Sequence, residues 1–214
     1  MLYKKTELMN GLFFKIKTVA DYNTFEDMPQ DLQNIWDKKY SYKYINQYSD
    51  FTEKGKLVNS YNQHALYVPE FSSIVEVSIG MIEELSKCKY DITVIPFTGL
   101  NEKKLLTEVA DTMNKFPGYI LGGYNVAGYQ IPFLIKRMLI NKVPLPTCLL
   151  LKGKKPWEIN VIDIMKDYQG SMFGDVDLLI VANQFKIKVD LIKENYTAAE
   201  ELNITLQLAL AMSI

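Results

Sequence analysis

The first clear hydrophobic pattern lies near the amino terminus, in the stretch GLFFKIKTVADY (11–22). Apolar side chains alternate over residues 11–19, and successive side chains of a strand point to opposite faces. We therefore predict a β-strand here. The face that begins with Phe13 then carries Lys15 and Lys17, one pleat apart. Two lysines on one face of an otherwise apolar strand need an explanation.

Similar patterns predict the elements that follow. Alternation favours strands at 71–84 and 91–99, which we expect to pair as a hairpin. Apolar residues at helical spacing predict a helix over 101–116, with Asn101 as its cap. Residues 119–125 read as a buried strand, and residues 157–165 as a strand or a strand–helix junction. Further helices are predicted at 29–39, 131–142, 175–185 and 195–212.

This order of elements predicts an α/β fold with a mixed sheet flanked by helices. We expect three antiparallel strands followed by parallel strands, in a single domain that spans residues 1–214. Residues 40–70 are rich in Tyr, Asn and Gln and have no clean period. They are interpreted as a long insertion or covering loop.

Composition excludes several function classes. The net charge of −1 gives no global attraction to nucleic acid. His64 is the only histidine, which argues against a Ser–His–Asp triad and against a multi-histidine metal site. Cys88 and Cys148 fit no metal spacing and are expected to be reduced thiols. No apolar run approaches the length of a membrane span, so we expect no membrane partner. We expect a cytoplasmic protein, or a virion component if a phage encodes it.

Three stretches together resemble one family. They are KTVADYNTFEDMPQDLQNIWDKKY, GYNVAGYQIPFLIKRMLIN and GKKPWEINVIDIM. They are similar to the predicted 3′–5′ exonucleases related to the exonuclease domain of family B DNA polymerases. These proteins form part of the DEDD group, and the resemblance implies a ribonuclease-H-like fold from about residue 11 to residue 185.

The resemblance also implies a chemistry, because the family hydrolyses phosphodiesters with two Mg²⁺ or Mn²⁺ ions held by four carboxylates. In this chain, Lys15 and Lys17 stand where the first two carboxylates belong, and Gln130 replaces the third. Glu200 is the candidate for the fourth. The family's accompanying residues are kept as Asn125 and Tyr196, and Asp163 lies where the family also has an aspartate.

Three of the four metal-binding carboxylates are therefore replaced, and an ammonium group has no lone pair for a metal. We expect no divalent metal, no cofactor and no exonuclease turnover. The resulting prediction is a degenerate, catalytically inactive exonuclease-like domain. It would act as a protein scaffold or as a structural or assembly component with protein partners, and a phage origin is one expectation.

The two lysines allow more than one interpretation. Lys15 and Lys17 could pair with Glu200 and with Asp163, and so fill the space that metals occupy in the family. They could instead contact phosphate or another acidic partner, or lie on an ordinary exposed face. Asp163 could be a residual acidic group or only a hydrogen-bond acceptor that stabilises the fold.

Two alternatives to the scaffold remain open. One is a nucleic-acid-binding module that uses the degenerate cleft, with further contacts from a basic cluster beside an aromatic residue. That cluster comprises Lys152, Lys154, Lys155 and Trp157. The other is an active metal-dependent exonuclease with relocated ligands. Its candidate carboxylates are Asp21, Glu26, Asp163 and Glu200.

Overall fold

A computed structural model describes residues 3–41, 51–87, 89–155, 158–170 and 176–213. Its central element is a five-stranded sheet. The strands are β1 (Gly11–Ala20), β2 (Ser72–Ser86), β3 (Lys89–Thr98), β4 (Ile120–Gly123) and β5 (Val161–Asp163). They lie in the order β3-β2-β1-β4-β5, which places β1 and its two lysines in the centre of the sheet.

The sheet is mixed, as the sequence predicted. Strand β2 pairs with β3 in an antiparallel hairpin, while β1 with β4 and β4 with β5 are parallel pairs. The hairpin turn is tight, since Ser86 is already paired with Lys89. A mixed five-stranded sheet flanked by helices confirms the predicted α/β class, and it is consistent with a ribonuclease-H-like fold.

Eight helices lie along the described part of the chain. They are α1 (Lys5–Met9), α2 (Gln30–Lys39), α3 (Glu53–His64), α4 (Glu102–Met113), α5 (Ile131–Ile140), α6 (Ile164–Gln169), α7 (Leu178–Gln184) and α8 (Ala198–Ala211). The predicted cap of α4 is confirmed, because the Asn101 side chain accepts a hydrogen bond from the Lys104 N–H at 3.0 Å. None of the described helices has the length and apolar character needed to cross a membrane.

The chain divides into two compact units, one formed by residues 18–74 and the other by residues 1–17 with 75–214. The boundaries fall within β1 and β2. Each unit has a hydrophobic cluster of its own. Whether the two units form a single domain, as the sequence analysis expects, stays a prediction.

The smaller unit corrects the expectation of a loop at 40–70. Residues 53–64 form helix α3, which begins where the Thr52 side chain accepts a hydrogen bond from the Gly55 N–H. The helix forms because Tyr61 buries its ring against Trp36, with centroids 5.1 Å apart, while the Trp36 indole donates to the Ser60 hydroxyl. Aromatic packing therefore stabilises a segment without a clean hydrophobic period. Residues 42–50 lie outside the described residues.

The larger unit packs α8 against one face of the sheet. Phe13 of β1 is fully buried in the same cluster as Leu202 and Leu206 of α8. The helix approaches the sheet closely at Gly80, where a Cβ atom would lie 2.7 Å from a Leu206 methyl carbon. Because Lys15 and Lys17 alternate in step with Phe13, the strand period directs them toward the α8 side.

Candidate functional site

Lys15 and Lys17 meet one carboxylate on α8. The Lys15 ammonium forms an ion pair with Oε2 of Glu201, and the Lys17 ammonium lies 3.6 Å from Oε1 of the same residue. The side chains of the two lysines are 22% and 29% exposed, and that of Glu201 is 20% exposed. The three groups are therefore largely shielded, although water still reaches each of them.

The prediction that Glu200 pairs with the two lysines is wrong, because the next residue, Glu201, is their partner. The Glu200 carboxylate forms a capping box at the start of α8, where it accepts from the Thr197 N–H at 2.9 Å. It also pairs with Lys193 at 2.5 Å. Consecutive helical residues point about 100° apart, so these two neighbouring glutamates serve different partners. The motif Thr197-x-x-Glu200 was a readable capping-box signal.

The Lys193 hydrogen bond, helped by the cap, lowers the pKa of Glu200 from 4.5 to about 2. Glu200 is thus held in its ionised form by groups of its own segment. Its contacts explain a glutamate at this position without any metal ion.

Glu76 on β2 is a second acidic residue that the sequence did not indicate. Its Oε2 accepts from the Ala198 N–H at 2.8 Å, at the start of α8. A carboxylate is favourable there because the first N–H groups of a helix have no partner within the helix. Glu76 therefore helps to fix the start of α8, the helix that bears Glu201.

Gln130 is more than a polar replacement at a helix start. Its side chain is buried, with Oε1 accepting from the Ile16 N–H at 3.0 Å and Nε2 donating to the Tyr124 carbonyl at 2.6 Å. A side-chain amide supplies both a donor and an acceptor, whereas an ionised carboxylate can only accept. An aspartate here would lose the donor to Tyr124, so Gln130 holds β1 to the segment after β4.

Asn125 has a structural role that matches its residue type. It adopts the left-handed conformation, with φ 53°, and begins the π-helical turn Val126–Gln130. Asparagine tolerates this conformation better than most residues. Its side-chain oxygen would lie 2.5 Å from a Cβ atom at Gly128, so a side chain at that position would force the Asn125 amide to move.

Asp163, at the end of β5, also holds backbone. Its carboxylate accepts from the Ala127 N–H at 3.0 Å and from the Lys166 N–H at 3.4 Å, which caps α6. Burial raises the pKa of this carboxyl above its ordinary value, while both hydrogen bonds oppose the rise. These contacts favour the interpretation of Asp163 as a structural acceptor.

Tyr196 anchors the loop that precedes α8. Its hydroxyl donates to the Asp190 carbonyl at 2.9 Å and accepts from the Asp190 N–H at 2.8 Å. The Lys193 ammonium lies 4.8 Å from the centre of the Tyr196 ring. The loop is therefore held at its base, and it exposes Leu191 and Ile192 to solvent.

The basic cluster lies on a surface loop. Lys152, Lys154 and Lys155 are exposed, and the Lys155 N–H donates to the Glu158 carboxylate at 2.8 Å. Trp157 lies outside the described residues, so its stacking role stays a prediction. Of the two cysteines, only Cys148 lies among the described residues. It is a free thiol that is partly buried, and burial raises its pKa.

The chain's only arginine is committed to the fold. Arg137 of α5 donates from Nε and Nη2 to the two oxygens of Glu102 on α4, at 2.8 and 2.5 Å. The Asn141 amide donates to the same carboxylate at 2.7 Å. The side chains of Arg137 and Glu102 are only 8% and 11% exposed.

The residues at the positions where the family resemblance implies metal ligands do not fit a pair of divalent cations. Such cations need several carboxylate oxygens, whereas two ammonium groups and an engaged amide stand here. Across the described ranges, no three His, Cys, Asp or Glu side chains are arranged to hold a metal ion. The relocated-ligand alternative therefore gains no support from the side-chain geometry.

Comparisons with known proteins give little beyond this geometry. No protein-family model and no curated protein matches the chain. Among solved structures, it is similar to the family B DNA polymerase from the hyperthermophilic archaeon Pyrobaculum calidifontis, with 13% identity and a TM-score of 0.47. The similarity covers 94% of this chain and 24% of the polymerase, so the chain spans about a quarter of that protein's length.

Proposed function

We propose that this chain is a catalytically inactive domain of the 3′–5′ exonuclease type that serves as a protein scaffold or assembly component. The observation that carries the proposal is the contact of Lys15 and Lys17 with Glu201. A pair of metal ions would need carboxylates on β1, and lysines paired to a helix stand there instead. A cytoplasmic or virion location, and a phage origin, remain predictions.

The replacements support one another, which favours a protein adapted to work without metals. Lys15 and Lys17 bring α8 and β1 together through Glu201. Gln130 satisfies two buried backbone groups that a carboxylate could not satisfy together. Restoring carboxylates at positions 15 and 17 would set them against Glu201, and like charges in a shielded site repel.

A protein partner is supported by the loop before α8. Ile192 is 90% exposed and Leu191 is 55% exposed, although Tyr196 orders the loop that bears them. Because the Tyr196 hydrogen bonds already hold this loop at Asp190, a partner that buries Leu191 and Ile192 would need to order little further backbone.

Nuclease turnover gives the test. We expect no release of nucleotides from a 3′-labelled single-stranded oligonucleotide in Mn²⁺ or Mg²⁺. Release that Glu200→Gln abolishes would overturn the proposal and favour an enzyme with relocated ligands. Gln207→Met, at an exposed position of α8, is the matched control, since it changes the same helix without touching an acidic group.

A nucleic-acid-binding module is the second candidate, and the exposed lysines at 152, 154 and 155 favour it. Its version that uses the cleft is less well supported, because Lys15 and Lys17 are already paired with Glu201. The module would be supported if the chain binds single-stranded nucleic acid less tightly as salt increases. The triple Lys→Gln change at 152, 154 and 155 should then weaken this binding. Binding unaffected by salt and by that change would argue against it.

A further inference from the structure

Glu201 bridges two cations in the way that a bound anion would. Each of its oxygens faces a different lysine, Oε2 toward Lys15 and Oε1 toward Lys17. A phosphate group also presents several oxygens that share negative charge, and lysine is a common phosphate ligand. The two ammonium groups therefore form an anion site that a residue of the chain itself fills.

The carboxylate of Glu201 can leave this site without loss of any other contact within the described residues. Among the residues that the structure describes, its side chain contacts the two lysines alone. Glu200 differs, because its departure would break both the helix cap and the Lys193 pair. The backbone of Glu201 stays fixed by helical hydrogen bonds, so only its side chain would need to rotate.

Charge favours an exchange of ligand. The lysines carry two positive charges and share the single-charged carboxylate of Glu201. A phosphate group with two negative charges would balance both ammonium groups. Water already reaches all three side chains, which are 20% to 29% exposed.

We propose that Lys15 and Lys17 form a phosphate-binding site and that Glu201 occupies this site as an internal competitor in the free protein. A ligand with a phosphate group binds there by displacing the Glu201 carboxylate. The inference goes beyond the scaffold proposal and does not rest on it, since phosphate binding and nucleotide release are separate measurements.

Calorimetric titration with inorganic phosphate, at constant ionic strength set by chloride, tests this directly. Glu201→Gln removes the competitor, and we expect phosphate to bind about tenfold more tightly than to the unmodified chain, since each 1.4 kcal/mol is a factor of ten. Adding Lys15→Gln and Lys17→Gln to that variant should abolish the binding. Equal phosphate affinity of the unmodified chain and folded Glu201→Gln would overturn the inference.

Glu200→Gln is the matched control, because it removes the same charge from the neighbouring position on the same helix. We expect it to leave phosphate affinity unchanged, and a gain equal to that of Glu201→Gln would reduce the effect to net charge and overturn the site. If Glu201→Gln does not fold, Glu201→Asp keeps the charge but shortens the reach. Glu201→Asp should then still bind phosphate more tightly than the unmodified chain. An unchanged phosphate affinity would contradict the inference.

The source of the phosphate is assigned by two further titrations of Glu201→Gln. If a 5′-phosphorylated oligonucleotide binds more tightly than its unphosphorylated form, the site takes a terminal phosphate. Equal binding of both, lost in the double lysine variant, assigns the site to backbone phosphates. Binding of inorganic phosphate alone assigns it to a free ion, and binding of no phosphate compound overturns the inference.

Discussion

Two glutamates of this molecule hold cations in contrasting ways. Glu102 receives both nitrogens of one Arg137 guanidinium and an Asn141 amide, in a pair whose side chains are at most 11% exposed. Glu201 divides its two oxygens between Lys15 and Lys17, whose side chains are 22% and 29% exposed. The first pair is buried and geometrically fixed, while the second is shared and reached by water.

The difference separates a charge pair that is buried within the fold from one that water still reaches. The planar fork of arginine matches a carboxylate and suits a buried pair, whereas each lysine offers a compact charge on a flexible stem. The sole arginine of the chain joins α4 to α5. Lysines instead stand on β1, at the positions where the family resemblance implies carboxylates.

The largest effect is expected where the pair is buried. Glu102→Gln leaves the Arg137 charge shielded and without its carboxylate, which should lower the free energy of unfolding by about 3–5 kcal/mol. Urea unfolding measures the loss. Replacing both partners, by Glu102→Leu with Arg137→Met, should cost less than the single change. A double variant at least as unstable as Glu102→Gln would contradict the buried-charge explanation.

Gln130 extends the comparison to a buried contact without charge. Gln130→Met leaves the Ile16 N–H and the Tyr124 carbonyl without their side-chain partner, at an expected cost of about 1–3 kcal/mol in the free energy of unfolding. The same urea experiment gives the value. Gln207→Met, on the exposed surface of α8, should change the free energy of unfolding little. A loss of stability equal to that of Gln130→Met would show that the buried hydrogen bonds of Gln130 are not the cause.

A smaller loss is expected at the shared pair. Glu201→Gln should lower the free energy of unfolding by about 1 kcal/mol at low salt, because partly exposed ion pairs contribute little. The loss should shrink as salt increases, since screening weakens the pair in the unmodified chain. A loss as large as that of Glu102→Gln, and insensitive to salt, would remove the contrast between the two glutamates.

The smallest effect concerns Glu200, and it depends on pH. Its pKa in the folded protein is about 2, below the ordinary 4.5, so its ionised form favours folding above pH 4.5. That contribution is lost as the pH falls from 4.5 to about 2. Glu200→Gln should thus be less stable than the unmodified chain near neutral pH, and the two should converge in acid. Curves of unfolding free energy that stay parallel over this range would contradict the assignment.

The strands and most helices could be predicted because their side chains repeat with the period of the element. Period two placed Lys15 and Lys17 on one face, and the structure sets both against α8. Helix α3 was missed because aromatic contacts, among them that of Tyr61 with Trp36, stabilise it. Contacts between residues distant in the sequence leave no local period.

The partner of the lysines could not be fixed for a related reason. A shift of one residue on a helix changes the direction of a side chain by about 100°, so aligned motifs alone could not separate Glu200 from Glu201. The capping box would have assigned Glu200 to its own helix. The double contact of Gln130 could not be read either, since it depends on how closely β1 approaches the segment after β4.

The central claim is that lysines and their glutamate stand where the family resemblance implies a pair of metals. Calorimetric titration of the folded chain with Mn²⁺ tests it most directly. We expect no tight binding, because two ammonium groups beside Glu201 repel a divalent cation and offer it no lone pair. Tight binding of two Mn²⁺ ions per chain would contradict the claim.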